Sequence, residues 1–134
     1  WDVADVVGLT NDQLTTMIDN GHLLGLFQGD DLVGFAGVGQ RPIARTRHRA
    51  TIGPFYVIPS HHGTDAADIL MQGCLDMAAS NGAWMIDLYV AANNPRAIRF
   101  YERHGFVYEG RMPAAIVVDD RAYDDFYYCL TLPH

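Results

Sequence analysis

The sequence contains no lysine, only two cysteines, and no apolar run long enough to cross a membrane. Without lysine, nine arginines face sixteen acidic residues, and the net charge is −7. Nucleic-acid binding needs a basic face to neutralise phosphates, so this balance argues against a nucleic-acid partner and mildly favours cationic ligands. The absence of an apolar run of about 18 residues argues against a membrane protein.

The two cysteines fit buried, reduced thiols better than a disulfide framework. Cys74 falls in a helical pattern and Cys129 in a strand pattern, and this usage is typical of a cytoplasmic protein. With 134 residues, 49% of them hydrophobic and 19% charged, the chain predicts one globular domain spanning residues 1–134.

The apolar spacing predicts the element order α β β β α β α β β. The capping-box form Thr10-Asn11-Asp12-Gln13 predicts a first helix over residues 11–20. Further helices are predicted from Asp65 to about residue 80 and over 94–105, with strands over 22–27, 32–38, 50–58, 83–90, 106–118 and 123–132. This mixed order indicates an α/β (α+β) domain in which strands separated by a helix run parallel and the others pair as hairpins.

Four of the nine arginines fall in the nine residues from Arg41 to Arg49. Two interpretations stay open for this basic segment. It is either a solvated loop, or a patch that attracts a polyanionic cofactor or substrate.

The segment Asn94 to Phe106 predicts a short helix with both ends marked. Asn94 can cap the first turn, Pro95 needs no N–H there, and Gly105 supplies a left-handed stop. The spacing places Asn94, Ala97 and Tyr101 on one face. Alone, this pattern is typical of an amphipathic helix with a core tyrosine.

A strand, a glycine-containing loop and a helix N-terminus follow one another from Tyr56 to Ala67. Free amides and the positive helix end can hold a phosphate there. Pro59 ends the strand, which exposes main-chain groups that an extended amide-bearing ligand could pair with. An ordinary strand-to-helix connection is an equally good interpretation.

Together, these two segments resemble the GNAT superfamily of acyl-CoA-dependent N-acetyltransferases. Val57 to Ala67 stands where the family has its V-x-P-x-x-R-G-x-G-x-G/A loop, and Leu88 to Phe106 matches its L-x-V…N-x-x-A-x-x-x-Y-x-x-x-G-F pattern. The resemblance implies a mixed, mostly antiparallel sheet with a central, splayed parallel strand pair and flanking helices. Because only nine residues precede Thr10, the family's first strand and helix are expected to be missing. Either residues are missing from the sequence, or a homodimer partner covers the gap.

The resemblance also implies roles for individual residues. The matching loop amides cradle the CoA pyrophosphate, the strand end pairs with the pantetheine arm, and the helix contributes the arm contact and an acid for the departing thiolate. The cofactor-binding residues implied in this way are Tyr56, Val57, Ile58, His62, Gly63, Thr64, Asp65, Ala66, Ala67, Asn94, Ala97 and Tyr101. Tyr101 is also the implied acid. Main-chain donors near a thioester carbonyl and an acid near its sulfur suit this chemistry.

Two loop positions depart from the family pattern. His62 replaces the arginine or glutamine, and Asp65 replaces the second glycine. Asp65 brings a negative charge and a Cβ to the diphosphate position, which should weaken CoA binding. Asp65 acting as a helix cap, or compensating charge from His61, His62 or the basic segment, would limit that loss.

The expected function is transfer of an acetyl group from acetyl-CoA to a primary amine of a small molecule by direct attack. Asp87 is the nearest strand carboxylate for the base, although alternation leaves its face open and a solvent-facing acid is equally compatible. His48, His61 and His62 are weaker candidates, and no metal site is expected. The alternatives are a GNAT-shaped CoA-binding or regulatory module without turnover, and a fold that does not use CoA.

Overall fold

One mixed sheet and two α-helices make up the residues that the computed structural model describes, which are 14–18, 23–40 and 43–134. The strands and helices are β1 (Leu14–Ile18), β2 (Leu23–Gln28), β3 (Asp31–Gly39), β4 (Arg49–Val57), α1 (Ala66–Ser80), β5 (Met85–Ala91), α2 (Pro95–Arg103), β6 (Val107–Val118) and β7 (Arg121–Thr131). Short 3-10 turns lie at Ala44–Thr46 and Pro59–His61. The sheet order is β1-β2-β3-β4-β5-β7-β6. Neither α1 nor α2 has the length and apolar character needed to cross a bilayer.

The predicted splayed parallel pair is formed by β4 and β5. They pair over three positions only, from Arg49↔Met85 to Thr51↔Asp87, while the other neighbouring strands in the sheet are antiparallel. Because β4 runs on to Val57 and β5 to Ala91, their facing edges beyond this point have no strand partner. The predicted fold class is confirmed, and the splay leaves unpaired main-chain groups inside the sheet.

The helix predicted over residues 11–20 is wrong where the structure describes it. Leu14–Ile18 forms β1, which pairs with β2 from Leu14↔Phe27 to Ile18↔Leu23; residues 11–13 and 19–20 lie outside the described residues. A capping motif and a short apolar stripe contribute little helix stability in so short a segment. The edge of β2 offers a full row of hydrogen-bond partners, and this tertiary pairing overrides the local preference.

Helix α1 packs across the sheet and supplies much of the core. Leu70, Met71 and Cys74 are completely buried, together with Ile86 and Leu88 of β5. Both cysteines are free thiols, Cys74 buried and Cys129 partly exposed.

The predicted caps of α2 are confirmed. The Asn94 side chain accepts a hydrogen bond from the Ala97 amide at 3.2 Å, and Gly105 has φ +94°. At its other end, α2 is tied to α1 because Asp68 contacts Arg103 at 2.9 Å and His104 at 2.7 Å. These contacts hold the Asn94–Tyr101 face of α2 beside the end of β4.

Candidate active site

A cavity of about 730 Å³ lies where the end of β4, the following loop and α2 meet. Many of the residues predicted to bind a cofactor line it: Tyr56, Val57, His62, Gly63, Thr64, Ala67, Asn94, Ala97 and Tyr101. Ile58 and Ala66 pack into the core instead, and Asp65 is exposed outside the cavity lining. The structure therefore brings the two sequence motifs to one site.

Tyr101, the predicted acid, is a buried side chain at the wall of this cavity. Its side chain is 8% exposed and meets the Phe55 ring edge-on, with 6.2 Å between ring centroids. Burial, with a smaller contribution from the nearby Cys74 thiol, raises the pKa of Tyr101 to about 12. A tyrosine phenol is protonated at neutral pH in any case, and burial extends this protonated state to higher pH.

The loop between β4 and α1 presents unpaired amides. Gly63, at φ +79°, turns the chain into α1. Among the described residues, the amides of Gly63, Asp65 and Ala67 donate to no protein acceptor. The alternate amides are used inside the loop: His62 donates to the Pro59 carbonyl, Thr64 to the His61 carbonyl and Ala66 to Thr64 Oγ1. Free amides at the positive end of a helix suit an anion.

Asp65 is neither strained nor a side-chain cap. It occupies the N-cap position of α1 with φ −82°, which any residue adopts, and its side chain makes no capping hydrogen bond. Thr64 Oγ1 accepts from the Ala66 amide instead, at 3.2 Å. The suggested Asp65 cap is therefore wrong, and because the backbone here needs no glycine, the charge of Asp65 is what remains to affect an anion.

His62 links β4 to α2. Its Nε2 lies 2.8 Å from the Val57 carbonyl oxygen and its Nδ1 lies 2.8 Å from Arg96 Nη1. Because a carbonyl only accepts, Nε2 carries the proton and Nδ1 accepts from Arg96. The position that holds an arginine or glutamine in the family thus holds a histidine that orients a different arginine.

The arginines of α2 were missed by the sequence reasoning. Arg96, Arg99 and Arg103 all line the cavity, and among the described residues only Arg103 of these three pairs with a carboxylate, that of Asp68. Their spacing of three and four residues places them on one helix face. That spacing is visible in the sequence, because a stripe of arginines on a helix beside a predicted phosphate-binding loop indicates an anion-binding surface.

Asp87, predicted as catalytic, lies in a different place from Tyr101. Its neighbours in β5, Ile86 and Leu88, are buried toward the helices, so Asp87 points to the other sheet face. It lines a second cavity, of about 440 Å³, at the point where β4 and β5 part. The structure does not bring Asp87 and Tyr101 to one cavity.

Asp87 is 8% exposed, so the alternative of a solvent-facing acid is wrong. Arg49 Nη2 donates to Asp87 Oδ2 at 2.9 Å, Tyr127 OH donates to the same oxygen at 2.6 Å, and Thr51 donates to Oδ1. The pKa of Tyr127 is raised by burial and by its hydrogen bond to Asp87. One lone pair of Oδ1 remains for a further donor.

The remaining histidine candidates lie outside the main cavity or at its rim. His48 packs against the Trp84 ring, with centroids 5.0 Å apart, and His61 Nε2 lies 2.6 Å from Gln28 Oε1. Within the described ranges, no three His, Cys, Asp or Glu side chains are grouped to hold a metal ion. In the basic segment, Arg49 is tied to Asp87 rather than solvated, and Arg41 lies outside the described residues.

The fold is that of solved acetyltransferases. One is an acetyltransferase of Salmonella typhimurium solved with its cofactor acetyl-CoA, which superposes with a TM-score of 0.74 at 22% identity, over 89% of this chain and 65% of that one.

The chain belongs to the GNAT family of acetyltransferases, whose model matches residues 6–106. An uncharacterised N-acetyltransferase of Mycobacterium tuberculosis is 42% identical over 59 residues, 44% of this chain and 38% of that protein. The mycothiol acetyltransferase of Brachybacterium faecium is 32% identical over 93 residues, 69% of this chain and 28% of that protein. The chain thus spans about a third of the length of these relatives.

Proposed function

We propose that this chain transfers the acetyl group of acetyl-CoA to a primary amine of a small molecule. The observation that carries the proposal is the cavity at the splayed β4–β5 pair, where an unpaired strand edge, free loop amides and the buried Tyr101 phenol face one space. Family membership supports the reaction class. We further propose the cytoplasm as the site of action, since both free thiols would stay reduced there.

The residues of the cavity fit the cosubstrate. The unpaired edge of β4 up to Val57 suits the amide-bearing pantetheine arm. The free amides of Gly63 and Ala67 suit the diphosphate, and Arg96 adds a cation on the same side. Asn94 and Ala97 line the path between them.

The reaction balances with these groups. The amine nitrogen attacks the thioester carbon, so a C–N bond forms and the C–S bond breaks. The nitrogen loses a proton to Asp87, directly or through a water, and the sulfur takes a proton from Tyr101, which solvent then replaces. Two proton-transfer groups on opposite faces of the sheet suit a reaction in which donor and acceptor approach from opposite sides.

Isothermal titration with acetyl-CoA tests the proposal most directly. We expect saturable binding and an accompanying rise in the melting temperature, because a ligand that binds only the folded state stabilises it. If millimolar acetyl-CoA gives neither binding heat nor a thermal shift, the catalytic proposal is refuted and a fold without CoA involvement is supported.

A module that binds CoA without turnover is the second candidate, because the exposed Asp65 carboxylate stands beside the free loop amides. In such a module, Asp65→Gly raises CoA affinity and Tyr101→Phe changes no measurable activity. The catalytic proposal expects a loss of turnover from the second substitution.

We also propose a homodimer formed through β6, one of the two edge strands of the described sheet. Val107, Val117 and Val118 are more than half exposed along this strand, and an exposed apolar edge pairs readily with another strand. Light scattering after size exclusion should give twice the chain mass, and Val117→Lys should shift it to the monomer. A monomer for the unchanged protein at high concentration would contradict this proposal.

A further inference from the structure

Arg49 is held by two hydrogen bonds and yet keeps free donors. Its Nη2 donates to Asp87 Oδ2 at 2.9 Å and to Tyr127 OH at 2.7 Å. Its side chain is 36% exposed, and within the described residues its Nε and Nη1 groups find no acceptor. An arginine fixed by a carboxylate and a phenol, with other N–H groups open to solvent, is prepared to bind an anion.

Arg49 also lies at the centre of the sheet face that α1 and α2 leave uncovered. It lines both the cavity of about 440 Å³ that contains Asp87 and Thr51 and a neighbouring one of about 490 Å³ that contains Tyr127 and Glu109. Asp87 marks the point where β4 and β5 part. An acceptor that reaches the thioester from this face therefore passes beside both Asp87 and Arg49.

On this sheet face, the Asp87 carboxylate and the Arg49 guanidinium form a pair of opposite charge. We infer that the acceptor amine carries a carboxylate close to its amino group, as an α-amino acid does; this inference rests on the proposed function. The ammonium lies at the remaining Asp87 Oδ1 position and the carboxylate takes the free Arg49 donors. A polyamine, which the net charge of −7 alone would favour, instead brings a cation against Arg49.

The test compares acceptors that differ in the carboxylate alone. The standard L-amino acids are assayed beside their decarboxylated amines, for example L-alanine beside ethylamine and L-phenylalanine beside phenethylamine, with spermidine included. CoA release gives kcat/KM for each acceptor. We expect the best amino acid to exceed its decarboxylated amine by about 10- to 100-fold, the range for a hydrogen bond between charged groups.

Arg49→Met should bring the ratio of kcat/KM for the amino acid to kcat/KM for its decarboxylated amine close to one. Arg49→Lys keeps the charge and should keep part of the preference for the amino acid. The ratio separates recognition from damage to the site, since a general loss of catalysis lowers both members of a pair equally. Arg45→Met is the matched control, because Arg45 is an exposed arginine of the β3–β4 connection, shortly before Arg49 in the chain, and lies outside both cavities. This control should leave the ratio unchanged.

Equal or better acetylation of the decarboxylated amines or spermidine overturns the inference and leaves the proposed function intact. An unchanged ratio in Arg49→Met also overturns it. If no acceptor is acetylated, the proposed function fails, and calorimetry with the same amino acids in the presence of CoA decides the inference separately. Binding that is lost in Arg49→Met supports it, and no binding overturns it.

Discussion

At the scale of single residues, Tyr101 shows how one environment can set a chemical role. Its phenol is buried among aromatic rings and still lines the cavity beside Asn94 and Ala97. Burial raises its pKa, so the proton is held up to a higher pH than in a solvated tyrosine. Its place at the cavity wall is what makes this core side chain a candidate acid.

Tyr101→Phe should lower kcat by roughly 10- to 1000-fold, which is the scale of losing one general acid. The melting temperature should change little. Steady-state CoA release and circular dichroism measure the two quantities. Tyr108→Phe is the matched control, because that tyrosine is 49% exposed on the edge strand. Unchanged turnover in Tyr101→Phe would assign the proton to water.

Buried acidic groups also predict a loss of stability at high pH. Burial raises the pKa of Cys74 from 9.0 to about 12, and the pKa of Tyr101 from 10.0 to about 12. Above pH 9, the unfolded chain releases protons that the folded chain retains, so the free energy of unfolding is intact below that pH and falls as pH rises toward 12.

Thermal melts between pH 7 and 11 measure this effect. In Cys74→Ala, we expect the decline to begin near pH 10 rather than near pH 9, because Tyr101 then becomes the first of the two groups to ionise in the unfolded chain. An onset unchanged by the substitution would show that neither the thiol nor its burial controls alkaline stability.

At the scale of elements, the bend of β4 connects packing with the cofactor site. The β3–β4 register shifts between Ala36 and Val38, just beyond the point where β4 leaves β5. A Cβ at Gly37 would lie 2.5 Å from the Gly53 carbonyl oxygen. Bulges bend strands, so this close approach helps to open the splay.

Gly37→Ala should therefore destabilise the fold by about 1–3 kcal/mol, the usual effect of overpacking. It should also weaken acetyl-CoA binding, because the free edge of β4 moves. Urea unfolding and calorimetry measure the two effects. Gly110→Ala is the control, since a Cβ there meets no atom within 4 Å; equal effects of the two substitutions would contradict the argument.

At the scale of the whole molecule, net charge and local charge predict opposite salt effects. The net charge of −7 repels a polyanion such as CoA, and salt would screen that repulsion and strengthen binding. The arginines of α2 line the cavity, and salt would weaken their attraction for an anion bound there.

We expect local charge to dominate, so acetyl-CoA affinity should fall severalfold between low and high salt. Arg96→Gln should weaken binding and flatten this dependence, and Arg111→Gln, on exposed β6 outside the cavity, should do neither. Affinity that rises with salt would show that the overall field prevails.

The sequence by itself determined the features that depend on neighbouring residues in the chain. The Asn94 cap, the Gly105 stop, the strand end before Pro59 and the motif spacing are local, and the structure confirms the two caps and the strand end. A cap or stop needs only a few adjacent backbone groups, so it can be predicted without knowing the fold.

Only the tertiary structure decided the features that depend on distant partners. Leu14–Ile18 became a strand because β2 offers an edge. The face of Asp87 was settled by Arg49, Thr51 and Tyr127 from two other strands. Local spacing carries no information about which strands will lie side by side, and for this reason the Arg49–Asp87 pair could be found only in the folded chain.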